Sequence, residues 1–444
     1  MITLPDYVKT VMYCLNKNGY KAYAVGGCIR DHLLNKKPYD YDICTDCPPD
    51  KMEEIFKAFR VIETGLKHGT LTVIIDGRSI EVTTFRHDGD YINHRKPKEV
   101  KFVSNLTEDL KRRDFTVNAM CCDYDGRIYD YFNGKEDINN KLIKCVGNPE
   151  LRFEEDALRI LRALRFASTL DFTIDEQTRK AIFSKKDLLK CISAERITGE
   201  LKRLLCGKAV TRILMEYREI FAVIIPEIKP CIDYPQNTPH HCYTVWEHIA
   251  RSVGYTRPDS TIRTAMLLHD IGKPECETVD EQGISHFKKH PTASSIKARN
   301  ILKRLKFDTK STEYICELIF EHDNRIATDK KTVAHFAAKH DFAFLFDYLE
   351  IRRADTYAQS DYCREQKLTA LDEIAANAIE LMEENKCLKI ADLKVNGNDL
   401  KALGFSGKEI GDKLKEILNL VIDEKLENNK EKISDYIKEK QNVQ

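Results

Sequence analysis

The spacing of apolar positions changes several times along the chain, and each change marks an element. Leu4 to Asn18 has the three-to-four repeat of an amphipathic helix and stops at Gly19. Ala22 to Val25 is a short unbroken apolar run, as a buried strand requires. Gly26 and Gly27 interrupt it, and Ile29 to Leu34 reads as one or two turns of helix. A second strand is expected to carry Asp40 and Asp42, whose spacing of two puts both carboxylates on one face. Pro48-Pro49-Asp50 opens a helix from Lys51 to Phe59. Leu71 to Ile75 and Ser79 to Thr84 flank Asp76-Gly77 and predict a hairpin, with Glu81 on its second strand. Phe85 to Val103 is polar and turn-rich and predicts a loop.

Helical spacing dominates from Leu106 onward. A short helix approaches Arg112-Arg113, and an uninterrupted one is expected from Arg152 to Ser168, which holds no Pro or Gly. Pro226, Pro230, Pro235 and Pro239 mark a boundary. Beyond it the pattern is helical and charge-rich, broken at Gly397, Gly404, Gly407 and Gly411. The fold class is therefore an α+β head followed by mostly helical segments, with expected divisions at 1–140, 141–225, 226–365 and 366–444.

Composition narrows the class without naming a partner. Lys+Arg and Asp+Glu are both 71 of 444 residues, so any nucleic-acid surface must arise from local concentration of charge. No apolar run is long enough to span a bilayer and no signal-peptide core opens the chain, which predicts a cytoplasmic protein without a membrane partner. The fifteen cysteines are odd in number and scattered, as expected of reduced thiols. Cys44 and Cys47 have knuckle spacing but no second pair, and no zinc is assigned to them.

The chemistry is concentrated between Ala22 and Asp46. Gly26 and Gly27 let backbone N–H groups approach an anion, and the helix after them points its N-terminus the same way. Arg30 can offer a phosphate its planar fork of donors. Asp40 and Asp42 are hard oxygen ligands for Mg²⁺ of the kind two-metal phosphoryl transfer uses. Glu81 is either a third carboxylate or a solvated strand residue. A glycine pair or an Asp-X-Asp alone is common. GGCIRD followed by DYD resembles the head signature of the DNA polymerase β-like nucleotidyltransferases, in the branch of bacterial tRNA nucleotidyltransferases and poly(A) polymerases.

The resemblance continues down the chain. RRDFTVNAM, residues 112–120, is similar to the second family motif and implies that Arg113 touches the triphosphate or sugar. Asp88, Gly89, Tyr91, Arg95, Lys96 and Pro97 follow a family loop pattern, with Asn93 standing where an Asp is expected. Asp130 to Gly134 matches a further, structural element. In RFEEDALRILRALRFAS, residues 152–168, Asp156, Arg159, Arg162 and Arg165 recur every three residues. That spacing also suits a salt-bridged surface helix. The family reading assigns the four to seating and selecting a base. A carboxylate that only accepts and a guanidinium that only donates can match the edge of cytosine or adenine.

A second constellation lies behind the proline boundary, where seven of the thirteen histidines fall between His240 and His322. His248, the adjacent His269-Asp270 and Asp355 match the H…HD…D pattern of the HD phosphohydrolase superfamily, and His290 and His322 could serve a second ion. Imidazole with carboxylate suits a transition metal or Mg²⁺. A degenerate module retained for packing fits the same residues.

Taken whole, the resemblance implies template-independent addition of C, C and A to tRNA 3′ ends, with CTP and ATP as substrates, Mg²⁺ in the head and no obligatory protein partner. Gly27, Arg30 and Arg113 would hold triphosphate and sugar, and the glycine-broken tail would grip tRNA. An A-adding enzyme or poly(A) polymerase of the same fold, an HD hydrolase and a silent RNA-binding scaffold are the alternatives.

Overall fold

The computed structural model describes residues 1–442 apart from 64, 66–68, 90, 93–95 and 98–99. The apolar run Ala22–Val25 becomes β1, paired on both sides. Ahead of it, α1 (Asp6–Lys17) buries Val8, Val11, Met12 and Leu15, the face its spacing predicted. After it come α2 (Gly27–Leu33), β2 (Asp42–Thr45), α3 (Pro49–Phe56), β3 (Arg60–Ile62), β4 (Thr70–Ile75) and β5 (Arg78–Thr84).

Two expectations need correction in this region. Asp40 precedes β2 and does not lie on it, so only Asp42 is fixed by the sheet ladder. The segment predicted as loop contains two narrow ladders: β6 (Arg86–Asp88) pairs with β9 (Val100–Phe102), and β7 (Tyr91–Ile92) with β8 (Lys96–Pro97). Its Asn93 and Arg95 lie outside the described residues.

Among the described residues the head sheet has seven strands in the order β11-β10-β1-β2-β5-β4-β3, with β10 (Met120–Cys122) and β11 (Ile128–Asp130) supplied after α4 (Leu106–Lys111). β2 and β5 run parallel while the other pairs are antiparallel. That register sets Asp42 opposite Val25 on one side and Glu81 on the other. The strands are held from one side by a buried cluster of Val25, Cys44, Phe85, Leu110 and Cys121.

Helices follow: α5 (Gly134–Asn139), α6 (Pro149–Glu155), α7 (Leu158–Leu170), α8 (Glu176–Lys185), α9 (Ala194–Leu205), α10 (Val210–Glu216) and α11 (Arg218–Ile224). The single helix expected over 152–168 is two. Asp156 adopts an extended backbone, φ −139° and ψ 102°, and its carboxylate accepts from Leu158 N at the start of α7. Asp is a poor helix-interior residue and a good cap, so the break falls where its side chain can satisfy the backbone. α7 packs on α9 closely enough that a Cβ on Gly207 would lie 2.0 Å from Ser168 Oγ.

The chain divides into two units, Met1–Lys229 with Arg304–Lys306, and Pro230–Lys303 continuing from Phe307. The second is mostly helical, with one short antiparallel ladder (Thr278–Val279 with Ser285–His286): α12 (Val245–Tyr255), α13 (Ser260–Leu268), α14 (Lys273–Cys276), α15 (His290–Arg304), α16 (Thr309–Glu321), α17 (Lys330–His340), α18 (Phe342–Tyr357), α19 (Arg364–Glu383), α20 (Gly397–Ala402), α21 (Lys408–Ile422) and α22 (Lys430–Asn442). Among the described residues no helix is long and apolar enough to cross a membrane.

Candidate functional site

The turn between β1 and α2 is shaped by Gly26, at φ +86°, where a Cβ would stand 3.1 Å from Arg113 Nη1. A side chain here would be strained and would also displace Arg113. Arg113 is held through Asp109, whose carboxylate is fully buried: Arg112 Nε and Nη2 donate to Oδ1 at 2.9 and 2.8 Å, and Arg113 lies 3.6 Å from Oδ2. The Arg113 Nε is buried without an acceptor, a donor left for an anion. Arg30 is less free than its sequence position suggests. It donates to Asn118 Oδ1 at 2.7 Å and to Asp31, and lies over the Phe166 ring.

Asp42 reaches solvent along one side, yet the protein packed round its carboxyl lifts its pKa to about 6. Desolvation is the largest cause; Arg113 pulls it down, while Glu81 and Asp40 push it up. Three exposed carboxylates that repel one another beside Arg113 offer hard oxygen ligands to a cation. Among the described residues, their oxygens are not gathered within 4.8 Å as a ready ligand set, so an ion would complete their approach.

The predicted base-selecting residues are each engaged. Asp156 is clasped by Arg196 of α9 at 2.7 and 3.2 Å. Arg159 is 8 % exposed and donates to Glu155 at 2.5 Å and to the carbonyls of Arg152 and Arg112. Arg162 donates to Asp114 Oδ2 at 2.7 Å, and Arg165 to Glu200 at 2.5 Å. Burial alone would raise the pKa of Asp114; the charge and hydrogen bond of Arg162 overcome that and hold it at about 2. Asn118 donates to the same Asp114 and accepts from Arg30. A continuous chain, Arg30–Asn118–Asp114–Arg162, thus ties the glycine turn to α7. Sequence reading missed Asp109, Asp114, Asn118, Arg196 and Glu200. The RRD string was the only local signal, for partners up to 88 residues apart leave no spacing pattern.

In the helical unit the six expected residues do converge. His248, His269, Asp270 and Asp355 form one group of ligand atoms within 4.8 Å, and Asp270, His290 and His322 form another. All four imidazoles direct Nδ1 at a backbone carbonyl: Ala358 at 3.0 Å, Met266 at 2.7 Å, Phe287 at 2.7 Å and Ile319 at 2.6 Å. Donation there turns each Nε2 inward, where it offers a lone pair whenever the ring is neutral. Those lone pairs meet at 3.2 Å for His248–His269 and 3.1 Å for His290–His322. Two ligand nitrogens about 2.1 Å from one ion stand about 3.0–3.4 Å apart, so a cation relieves the contact. Asp270 spans both groups, with Oδ2 toward His248 and His269 and Oδ1 toward His290 and His322. Both its oxygens are buried without a well-directed hydrogen bond, although the Lys273 ammonium stands 2.7 Å from Oδ2. The donor set fits metal. In the ion-free fold, burial opposes charging of His269, but Asp270 and Asp355 raise its pKa to about 9.

Known proteins resemble this chain in segments. The family described as "Poly A polymerase head domain" matches residues 22–144. "Probable RNA and SrmB- binding site of polymerase A" matches 171–232, and "tRNA nucleotidyltransferase domain 2 putative" matches 280–437. The CCA-adding enzyme of Oceanobacillus iheyensis is 49% identical over 204 residues, 46% of this chain and 50% of the relative. That of Bacillus subtilis is 48% identical over 204 residues, 46% and 51% of the two chains. The chain therefore spans about half the length of the curated relatives it matches. The crystal structure of the Bacillus stearothermophilus CCA-adding enzyme in complex with CTP is similar over 100% of this chain and 99% of that one, with 28% identity and a TM-score of 0.72. The Thermotoga maritima CCA-adding enzyme complexed with tRNA shares the fold at 19% identity and a TM-score of 0.59, over 98% and 95% of the two chains.

Proposed function

We propose that this chain, whose head is of the poly A polymerase family, is a CCA-adding tRNA nucleotidyltransferase that extends tRNA 3′ ends with CTP and ATP. The observation that carries the reading is the meeting of Asp42, Glu81 and the half-satisfied Arg113 at the Gly26 turn. Asp40 and Asp42, with Glu81 beside them, would hold Mg²⁺, which when bound supplies charge stabilisation for nucleotidyl transfer. Arg113, Arg30 and the N–H groups after Gly26 and at Gly27 orient the triphosphate so that the tRNA 3′-hydroxyl is in line with the α-phosphorus and pyrophosphate leaves. Asp156 and Arg159 present acceptor and donor to the base, with Arg162 and Arg165 behind them. For Asp156 this means exchanging its Arg196 partner for the base amino group, and for Arg159 releasing Glu155 or a backbone carbonyl. The neck, 141–225, and tail, 366–444, contact tRNA, and the reaction belongs in the cytoplasm.

The test is product length from a tRNA transcript lacking CCA. CTP alone should add two residues, ATP alone none, and both together three. A long tail from ATP alone, or a single A on a transcript already ending in CC with no use of CTP, would replace this reading with a poly(A) or A-adding one.

A second reading applies to the helical unit, where the buried Asp270 carboxylate shared between two pairs of converging Nε2 atoms favours an HD-type metal centre acting on phosphate esters. His248, His269, Asp270 and Asp355 would hold one ion, and His290 and His322 with Asp270 a second.

A further inference from the structure

The His/Asp centre opens on a cavity of about 350 Å³, the size of a small-molecule site. Four cationic side chains line it, Lys273, Lys288, Arg325 and Lys367, and they are not equivalent. Lys273 is buried, and its ammonium already faces Asp270 at 2.7 Å, Gln236 Oε1 at 2.9 Å and His241 Nε2 at 3.4 Å. Its three donors are committed within the protein. Lys367, on α19, donates to Gln359 Oε1 at 2.6 Å and lies 3.5 Å from His240 Nδ1, so at least one N–H remains for a ligand. Gln359 donates in turn to Asp355 Oδ2 at 2.7 Å, which fixes the ammonium relative to the centre. Arg325, in the segment after α16, is exposed and forms no hydrogen bond or ion pair among the described residues.

Burial is the main reason the Lys367 ammonium holds its proton less tightly; Asp355 opposes this, and Arg325 is near enough to weaken that hold further. Like charges facing one concavity are stabilised by an anion between them. A guanidinium fork takes two oxygens of a phosphoryl group and an ammonium a third, leaving the phosphorus turned toward the His/Asp centre.

We propose that Arg325 and Lys367 form a phosphoryl clamp at this cavity, and that its ligand is a phosphomonoester, on a free nucleotide or at the end of a polynucleotide. The clamp rests on the reading of the centre as a metal-dependent phosphohydrolase. Lys273, by contrast, positions Asp270 and does not touch the ligand.

The experiment measures inorganic phosphate binding by calorimetry on the full chain, with Mn²⁺ and without it, alongside metal content and melting temperature. Arg325→Ala and Lys367→Ala should each weaken phosphate about tenfold, with metal content and melting temperature unchanged; tenfold corresponds to about 1.4 kcal/mol. Affinities within twofold of wild type in both variants, or no phosphate binding to wild type, overturn the clamp. Phosphate displaced by both adenosine 3′-phosphate and an RNA oligomer ending in 3′-phosphate supports a polynucleotide end as ligand. Displacement by the nucleotide alone supports a free nucleotide, and displacement by neither overturns the proposal. Metal bound with unaltered phosphate affinity in the variants removes the clamp and leaves the phosphohydrolase reading. No metal bound, with phosphate weakened in the variants, does the reverse.

Discussion

At the scale of single residues, Asp42 gives the sharpest expectations. Replacing it with Asn removes a metal-holding charge and should slow nucleotide addition about 10³-fold, the equivalent of several kcal/mol. Retention on tRNA should persist in a filter-binding assay, since phosphate contacts supply most affinity for nucleic acid. Its pKa near 6 adds a pH signature. The ionised form is lost as pH falls through about 6, so at limiting Mg²⁺ the rate should fall about tenfold per unit below that, and added Mg²⁺ should restore it. A flat profile at limiting Mg²⁺ between pH 5 and 7 would contradict the assignment. The positions of Asp42, Arg30 and Arg113 were legible because short motifs carry them. Asp109 was not, because nothing in the sequence distinguishes a fully buried carboxylate from a helix-start Asp until the two arginines are seen closing on it.

The element that matters most is α7, and its behaviour follows from which partners it takes. Arg162→Ala leaves Asp114 buried without its main partner and should destabilise the fold at pH 7 by on the order of 3 kcal/mol in urea titrations. With a folded pKa of about 2 against an ordinary 3.8, the wild-type pair stabilises above pH 3.8 and loses that as pH falls toward 2. In the variant, burial without Arg162 raises the Asp114 pKa, so the deficit should shrink as the medium is acidified toward pH 4. Arg196→Met tests the other end: without its clasp on Asp156, misincorporation of UTP and GTP should rise relative to CTP use. A uniform fall in all nucleotides would make Arg196 a folding residue only. Apolar spacing gave α1 and α7 their buried faces, yet it ran one helix through Asp156. Periodicity reports which side is dry; the break depends on a carboxylate finding Leu158 N and Arg196, contacts one of which is 40 residues away.

For the whole molecule, the two units imply separable chemistry. His269→Ala should abolish metal uptake at the four-ligand group while CCA addition continues near the wild-type rate, both measured on one preparation. Asp270 is the worse choice for this test, since its loss strands the buried Lys273 ammonium. Loss of addition in a folded His269→Ala protein would show the centre serving the head. Metal uptake must also expel the proton that His269 holds up to about pH 9, so apparent affinity should fall at least tenfold per unit below that. The α+β head was readable from the sequence, and the density of a rare residue type pointed to the segment where His248, His269, Asp270 and Asp355 come together. The ligands come from α12, α15 and α18 and from the residues that directly follow α13 and α16, with His248 and Asp355 about a hundred residues apart in the chain. In kinetic terms this is a knot of non-local closures, each of which costs chain entropy before any of them is rewarded. A cation present during refolding gathers those segments early, so the helical unit should regain its structure faster with Mn²⁺ than with a chelator, while the head refolds at one speed in both.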